Sequence, residues 1–526
     1  MALRSRILSL QRTIAGSALI IAVASIASRL LGLLRDRLLS SSFGAGSTLD
    51  AYYAAFKIPD IFFSLLILGA LSGTFVPIFL EKKHKESEKQ ALEMTSTVIN
   101  LLLIAVSVCV GIGVIFAPHI IQYFAYADSP EQQARIVYFV RVMSISLIFF
   151  TISTVGSFLL NAYKRFFIYS LAPIFYNLGI IIVTVCAVPI WGVDALPWGV
   201  VLGAFLHMCV QLPEVRRIGF RYHPMIRLRD ASIRKFLLAM PGRSFSLGLE
   251  EIMDATIFAL ASFAQIGART AWQFADNLQN FPINIFGASL SLAAFPVFAE
   301  AFTTKNQAQF TKTFVESVRR ILFFIVPITF LTLIFRAQIV RLVYGTGSFN
   351  WEDTILTAQT LGIFSLSMFA QALTPLCTRA FFAEHKARIP IILSACTLVV
   401  SVVLASVLVK PFGVYGLAAA YSIASVLRLC LLFIVFRAGH ELPDRELVWA
   451  VSRIVFAGIA MVIVAQGFKY TCAHIVDMQT WIGVCVQTVV SMLAGGAVYI
   501  AISSYFKFPE AHAAVSKLRQ WMNLLR

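Results

Sequence analysis

Four charged residues, Arg29, Arg35, Asp36 and Arg37, lie within the first long apolar segment of the chain. The uncharged run before them, residues 13–28, is 16 residues long, whereas a helix needs roughly 20 residues to cross a bilayer. Arg29 is therefore expected at membrane depth, where a charge costs about 2.5–3.5 kcal/mol and normally faces a cavity, a partner or a ligand. The pattern predicts a polar, cationic compartment within a membrane.

A second group of charges follows in the next apolar segment. Asp50 and Lys57 are seven residues apart, as are Arg29 and Asp36, so each pair falls within about 20° on one face of an ideal helix. Asp60 lies one turn beyond Lys57. With Arg35 and Arg37 these side chains include four cations and three carboxylates, which leaves positive charge for an anion. A phosphate that leaves water needs such guanidinium and ammonium donors.

An alternative places part of this group outside the membrane. Arg37 would then reach the outer interface. The second segment would cross with the uncharged residues 61–80 alone, which leaves Asp50, Lys57 and Asp60 in water or among headgroups.

A third cluster consists of Arg243, Glu250, Glu251 and Asp254 in the seventh apolar segment. Glu250 and Asp254 are neighbours on one helical face and are candidates for binding a coupling cation or relaying protons. The alternative is structural, with these carboxylates paired to Arg243 or Arg428.

Composition sets the protein class. Hydrophobic residues make up 59% of the 526 residues and charged residues only 13%, as expected for a polytopic helical membrane protein. The eight Cys and eight His have no metal-ligand spacing, and Walker and nucleophile-elbow motifs are absent. We therefore expect no enzyme activity, cofactor, metal site or disulfide framework, and no cleaved signal peptide.

The apolar segments form 14 candidate membrane spans. If the N-terminus is cytoplasmic, the loops on that side contain 29 Lys and Arg residues and the opposite loops only six. This asymmetry predicts cytoplasmic termini and explains the net charge of +17 by topology, without a nucleic-acid partner. The spans begin near residues 14, 49, 91, 136, 167, 195, 236, 270, 318, 354, 389, 414, 447 and 480.

An internal repeat relates span 2 to span 8. The stretch that starts FGAG at residue 43 has a counterpart that starts IGAR at residue 266, so Gly44 pairs with Gly267 and Pro59 with Pro282. An offset of six spans gives both halves the same orientation. The fold predicted is therefore an all-α polytopic membrane protein with two six-helix lobes related by a parallel pseudo-two-fold axis, plus two C-terminal helices.

Several motifs resemble those of the MurJ (MviN) family of lipid II flippases, which belongs to the multidrug/oligosaccharidyl-lipid/polysaccharide exporter superfamily. They are SRLLGLLRD (residues 28–36), FGAG…DAYYAAFKIPD (43–60), GALSGTFVPIF (69–79) and the NAY turn (161–163). The resemblance implies alternating access through a cavity between two lobes and a groove for the lipid tail formed by spans 13 and 14. It also implies that the substrate-binding residues are Arg29, Arg35, Asp36, Asp50 and Lys57.

Several positions depart from the family pattern, because neutral residues replace charged ones. They are Phe63, Ser64 and Leu68 in span 2 and Asn277 and Asn280 in span 8, where Asp276 and Pro282 remain. Either the head group is bound differently, with Arg269 or Arg243 compensating, or another lipid-linked precursor is carried. Asp60, Arg243, Arg269, Asp276, Asn277 and Asn280 are therefore candidate supporting residues of the cavity.

The function predicted is that of a flippase that moves lipid II, a polyprenyl-pyrophosphate-linked peptidoglycan precursor, across the bacterial cytoplasmic membrane. Alternatives are a flippase for another polyprenyl-linked oligosaccharide, a multidrug or cation antiporter, and a non-transporting scaffold for cell-wall enzymes. Partners would be the lipid substrate, the bilayer, a coupling cation and other cell-wall synthesis proteins. The predicted regions are an N-terminal lobe (1–235), a C-terminal lobe (236–440), the tail groove (441–506) and an amphipathic cytoplasmic tail (507–526).

Overall fold

A computed structural model describes residues 14–124 and 129–511 of the chain. Within these ranges the chain is helical and contains no strand, which confirms the predicted all-α class. The predicted amphipathic tail lies outside the described residues from residue 512 onward.

The chain divides into two compact units, Met1–Thr270 and Ala271–Arg526. The predicted lobe boundaries at residues 235 and 440 stay a prediction. The first unit contains helices α1 Ile14–Phe43, α2 Ser47–Lys85, α3 Glu88–Phe124, α4 Pro130–Ala162, α5 Phe166–Ile182, α6 Leu196–Cys209 and α7 Ala231–Leu260.

The helix α8, Ala268–Thr303, begins at the end of the first unit and continues into the second. The remaining helices are α9 Gln307–Tyr344, α10 Trp351–Ser365, α11 Met368–Ala383, α12 Arg388–Ala438, α13 Asp444–Ile475 and α14 Trp481–Tyr505.

By length and composition, nine helices in the described ranges could cross a membrane, or ten if the bent pair α10 and α11 forms one span. Two of the nine stretches, Phe166–Arg217 and Arg388–Ala438, contain 52 and 51 residues, more than twice the roughly 20 that one crossing needs. Each therefore has room for two crossings. The count of 14 spans stays a prediction.

The first long stretch turns back on itself, and the second is kinked. In the first, a Cβ atom on Gly179 of α5 would lie 2.4 Å from the Cα of Gly203 in α6, so the two helices pack side by side as small residues allow. In the second, Gly413 has a left-handed φ of 56° inside α12, a conformation that glycine adopts without strain. The first stretch therefore contains two helices that pack on each other, and the number of crossings in the second stays a prediction.

The first unit has an apolar core formed by α2, α3, α4 and the start of α7. Its centre contains Phe75 and Phe79 of α2, whose rings stack at 5.9 Å, and Phe236 of α7, all fully buried. Because α7 contributes to this core, it belongs to the first compact unit.

The second unit has its own core, to which α8, α9, α11, α12, α13 and α14 contribute. The ring of Phe314 in α9 stacks on that of Phe436 in α12 at 4.2 Å. The Tyr499 hydroxyl of α14 donates to the Phe323 carbonyl of α9 at 2.7 Å. The two C-terminal helices therefore pack on α9 as well as on each other.

The predicted repeat of α2 and α8 has two structural counterparts. Gly44 and Gly267, which precede the two helices, both have left-handed φ angles, 62° and 84°. Each helix also contains a π-helical stretch, Phe63–Leu68 in α2 and Ile283–Ala288 in α8. Such wide turns are rare and often occur at functional sites.

We expect Asp230→Ala to destabilise the first unit by about 1–3 kcal/mol. Asp230 accepts from the nearly buried Lys82 at 2.8 Å and, as the N-cap of α7, from the Ser232 amide at 2.8 Å. The substitution removes a helix cap and one partner of a largely buried ion pair. Thermal unfolding in detergent measures the loss.

The matched control is Glu86→Ala, which removes the more exposed partner of the same lysine and should cost less than about 1 kcal/mol. Equal losses for both variants would contradict the prediction. Burial of Asp230 alone would raise its pKa, but the bonds from Lys82 and Ser232 outweigh burial and lower it. The stabilisation is therefore present at neutral pH and is lost as the pH falls below the ordinary carboxyl pKa.

Candidate functional site

The charges of α1 lie on one continuous helix of 30 residues. Arg35 and Asp36 form an ion pair, since the Arg35 Nε and Nη2 atoms both donate to Asp36 Oδ1, at 2.9 and 2.7 Å. Only 1% of the Asp36 side chain is exposed, against 20% for Arg35. Most of the charge of Arg35 is therefore balanced by its neighbour in sequence.

Asn177 of α5 holds this pair in place. Its Oδ1 accepts from Arg35 Nη1 at 3.2 Å, and its Nδ2 donates to the Ser28 carbonyl at 3.2 Å. Sequence reasoning missed Asn177. A lone amide in an apolar span is costly to bury unless it has hydrogen-bond partners, and this cost is the signal that could have identified it. This amide joins α5 to α1 at two points of the charged segment.

Arg29 lies six residues before Arg35, about 9 Å along the helix axis. It is partly exposed, and the described residues place no carboxylate within 4.0 Å of its guanidinium group. The sequence places Asp36 on the same face, yet Asp36 pairs with Arg35 instead. Arg29 therefore keeps its donors and its charge available.

Lys57 of α2 is a second cation for which the described part of the chain supplies no carboxylate partner. Its Nζ atom lies 4.9 Å from the ring centroid of Phe258 in α7, a cation–π contact that orients an ammonium group without neutralising it. Asp60, one turn further along α2, is partly buried. Asp50 does not pair with Lys57, because it has other partners.

Asp50 is buried, with 5% of its surface exposed, and caps the start of α8. Its Oδ2 accepts from the Gly267 amide at 2.7 Å, and its Oδ1 accepts from the amide and hydroxyl of Thr270 at 2.9 and 2.7 Å. A Cβ atom at Gly267 would lie 2.1 Å from the Ala45 carbonyl oxygen. Only glycine therefore permits this close junction between the starts of α2 and α8.

Arg269 lies between Gly267 and Thr270 in this junction and is 3% exposed. Its charge acts on the Asp50 carboxylate. Its predicted contribution to substrate binding stays a prediction, because a residue this buried does not present its guanidinium group to solvent.

Within the second unit, α8 carries a row of polar side chains. Asp276 accepts from Gln279 Nε2 at 3.0 Å and from Asn280 Nδ2 at 2.8 Å, and Asn277 accepts from Gln273 Nε2 at 3.0 Å. Asp276, Asn277 and Asn280 are all partly exposed. Amide groups, which can donate to and accept from a saccharide, thus surround the carboxylate.

Two of the neutral positions in α2 form contacts within the first unit. The Ser64 hydroxyl, in the π-helical stretch, donates to Glu251 Oε1 of α7 at 3.0 Å. The ring of Phe63 lies 5.4 Å from that of Phe150 in α4. Glu251, a carboxylate of the third predicted cluster, therefore has a hydrogen-bond partner on α2.

The side chains of Arg243, Glu250 and Asp254 lie outside the described part of α7. Their predicted roles in the cavity and in ion coupling stay predictions. In the ranges that the structure covers, no group of three or more His, Cys, Asp or Glu side chains is arranged to bind a metal ion.

Sequence comparison finds similarity to proteins that are named as lipid II flippases. The family model described as "Lipid II flippase MurJ" matches residues 39–508. A probable lipid II flippase MurJ of Rhizobium meliloti is 29% identical, with 83% of each chain covered. The lipid II flippase MurJ of Burkholderia cenocepacia is 25% identical, with 88% of this chain and 90% of that protein covered.

Solved structures share the fold. A lipid II flippase MurJ in an inward closed conformation matches with a TM-score of 0.77 at 22% identity and covers 93% of this chain and 98% of its own. An inward-facing MATE multidrug transporter of the MOP superfamily matches with a TM-score of 0.65 at 14% identity and covers 78% of this chain and 94% of its own.

Proposed function

The chain belongs to the MurJ family of lipid II flippases, since the model of that family matches residues 39–508, and we propose on this premise that it flips lipid II. Lipid II carries a peptidoglycan building block on a polyprenyl pyrophosphate. The protein would bind it on one side of the membrane and release it on the other by alternating access. No chemical bond changes in this step, so the chain acts as a transporter.

The proposal rests on two cations, Arg29 and Lys57, that have no carboxylate partner among the described residues. Within the described residues Arg29 has no ion pair, and Lys57 contacts a phenylalanine ring. Unpaired cations within membrane-spanning helices are costly and are normally retained for function. A pyrophosphate needs several strong donors when it leaves water, and guanidinium groups bind its oxygens in pairs.

The remaining charges of α1 and α2 would support this site. The Arg35–Asp36 pair, fixed by Asn177, sets the position and rotation of α1 and hence of Arg29. Asp50 fixes the junction between α2 and α8. We propose that Asp60, Arg243 and Arg269 complete the charge distribution around the bound head group.

We propose that the polar row on α8 takes part in recognising the saccharide and peptide of the substrate. Asp276, Asn277 and Asn280 provide donors and acceptors suited to hydroxyl and amide groups. The neutral residues Asn277 and Asn280 also favour a second candidate function, the flipping of a different polyprenyl-linked oligosaccharide, because neutral amides bind sugars without selecting for charge.

We propose that α13 and α14 form the groove for the polyprenyl tail and that transport draws on an ion gradient or the membrane potential. A potential of 100 mV supplies about 2.3 kcal/mol per charge moved. Glu250 and Asp254 of α7 are the candidates for binding the coupling cation. The protein would lie in the bacterial cytoplasmic membrane with both termini in the cytoplasm, beside other proteins of cell-wall synthesis.

Complementation tests the proposal. The chain is expressed in a bacterium whose own lipid II flippase has been shut off, and growth and the exposure of labelled lipid II on the outer leaflet are measured. We expect growth and outer-leaflet lipid II to be restored. A strain expressing the Burkholderia cenocepacia relative serves as the positive control.

Lysis despite normal membrane levels of the chain, with growth in the control strain, would overturn lipid II as the substrate. The other polyprenyl-linked saccharide would then be tested in the same way, in a strain that lacks the corresponding flippase.

A further inference from the structure

The first unit contains a partly open cavity of about 750 Å³ that is separate from the charged residues of α1 and α2. Helices α3 and α6 both pack on the second half of α4, and the cavity lies in the gap that they leave. Its walls are mainly aliphatic and aromatic, and they contain no Asp or Glu. Typical wall residues are Ile99, Leu103, Val155, Leu159, Val215 and Phe220.

Two polar side chains of one wall, Ser153 and Gln211, are hydrogen-bonded to each other, and Gln211 is also bonded to Ser157 beside the wall. The Ser157 hydroxyl donates to Gln211 Oε1 at 2.9 Å, and Gln211 Nε2 donates to the Ser153 hydroxyl at 2.7 Å. Because these groups already have partners, the wall offers little to a polar guest. The interior therefore suits a hydrocarbon chain.

The loop after α6 is fixed beside the cavity by side chains of α3. Asn100 Nδ2 donates to the Met225 carbonyl at 2.8 Å, and the Tyr222 hydroxyl donates to Asn100 Oδ1 at 2.6 Å. Arg227 of the loop forms an ion pair with Glu93 at 2.7 Å. These bonds hold Arg221 and Tyr222 in the cavity lining.

Two guanidinium groups, Arg216 and Arg221, line the cavity and are exposed. Unlike their neighbours Arg217 and Arg227, which pair with Glu214 and Glu93, they have no ion-pair partner in the part of the chain that the structure describes. An apolar chamber whose rim is cationic is complementary to an amphiphile with an anionic head.

We propose that this cavity binds one acyl chain of an anionic glycerophospholipid, with the lipid phosphate bound by Arg216 and Arg221. Both residues lie in the segment 216–235, which is predicted to be cytoplasmic, where acidic phospholipids meet basic segments of membrane proteins. The volume lies within the usual range of small-molecule sites. The proposal is independent of lipid II transport, because it concerns different residues and a different ligand.

Native mass spectrometry of the full chain in detergent tests this site. The retention of dioleoyl phosphatidylglycerol is compared with that of dioleoyl phosphatidylcholine and oleic acid, with and without inorganic phosphate. We expect one phosphatidylglycerol to bind at least about tenfold more tightly than phosphatidylcholine. An Arg216→Gln, Arg221→Gln double variant should reduce phosphatidylglycerol binding to the phosphatidylcholine level.

Further variants separate binding of the lipid head group from binding of its acyl chain. A Cβ atom at Gly156, in the cavity wall, would be 3.6 Å from its nearest neighbours, so Gly156→Ala should fold normally. Gly156→Leu should narrow the cavity and weaken binding of both phospholipids. Arg229→Gln, Arg234→Gln is the matched control, since it removes two exposed cations from the same predicted face and should leave binding unchanged.

Several results would overturn the proposal. One is equal binding of both phospholipids by the parent, and another is an equal loss in the control variant. Unchanged lipid binding in a folded Gly156→Leu variant would show that the acyl chain does not enter the cavity. If that variant does not fold, unchanged lipid binding in both Gly156→Ala and Gly156→Val would show the same. Preferred retention of oleic acid, or displacement of the lipid by millimolar phosphate alone, would also contradict it.

Discussion

Replacement of Arg29 by alanine is expected to abolish complementation and to lower the affinity for the pyrophosphate-linked substrate roughly 10- to 100-fold, the loss typical of charge-assisted hydrogen bonds. The fold should not suffer, because the described residues give Arg29 no ion pair to lose. Substrate binding by the purified variant, its membrane level and its thermal unfolding are measured together. A variant that folds normally but does not flip lipid II would identify Arg29 as a binding residue.

Two matched variants make this result specific. Arg29→Lys retains the charge but loses the planar fork of donors, so it should retain part of the activity. Arg234→Ala removes an exposed arginine at the start of α7 and should flip at the parental rate. Normal growth and binding in Arg29→Ala would refute the role of this residue without refuting the family assignment.

The fold could be predicted because bilayer physics restricts the chain so strongly. Long apolar runs in a hydrocarbon environment must be helical to satisfy their backbone hydrogen bonds, and the described ranges are indeed helical. The repeat also pairs single residues that share a backbone conformation. The sequence pairs Gly44 with Gly267, and both adopt left-handed φ angles before their helices.

Side-chain pairing could not be predicted in the same way. Helical periodicity indicates which residues share a face, and it places Asp36 with Arg29 and Asp50 with Lys57. The structure pairs Asp36 with the adjacent Arg35, because the long arginine side chain can fold back to its neighbour. Periodicity contains no information about tertiary partners such as Asn177, which lies 142 residues from Arg35 in sequence.

Asp50 illustrates the same limit and has the largest expected effect on stability. It lies 217 residues from Gly267 in sequence, and nothing within its own segment indicates that it caps another helix. Its role as a cap follows only from the fold. Its predicted role in substrate binding stays a prediction, and the two roles can be separated experimentally.

We expect Asp50→Ala to destabilise the first unit by about 3–5 kcal/mol. The variant leaves two backbone amides and the Thr270 hydroxyl without their acceptor, and hydrogen bonds to charged groups contribute about 1.5–3 kcal/mol each. It also leaves the buried Arg269 without its carboxylate neighbour. Thermal unfolding in detergent and the amount of folded protein in the membrane measure the effect.

Asp50→Asn separates the cap from the charge. The side-chain carbonyl oxygen of the asparagine can still accept from Thr270, but its NH2 group would point at the Gly267 N–H, so that two donors oppose each other. An intermediate loss of stability is therefore expected. Asp194→Ala is the control, because Asp194 is exposed and its loss should change stability by less than about 0.5 kcal/mol. If Asp50→Ala unfolds at the temperature of this control but no longer flips lipid II, Asp50 acts on the substrate and its capping bonds are dispensable. If Asp50→Ala unfolds at a lower temperature, and Asp50→Asn flips lipid II in proportion to its folded fraction, the role of Asp50 is structural.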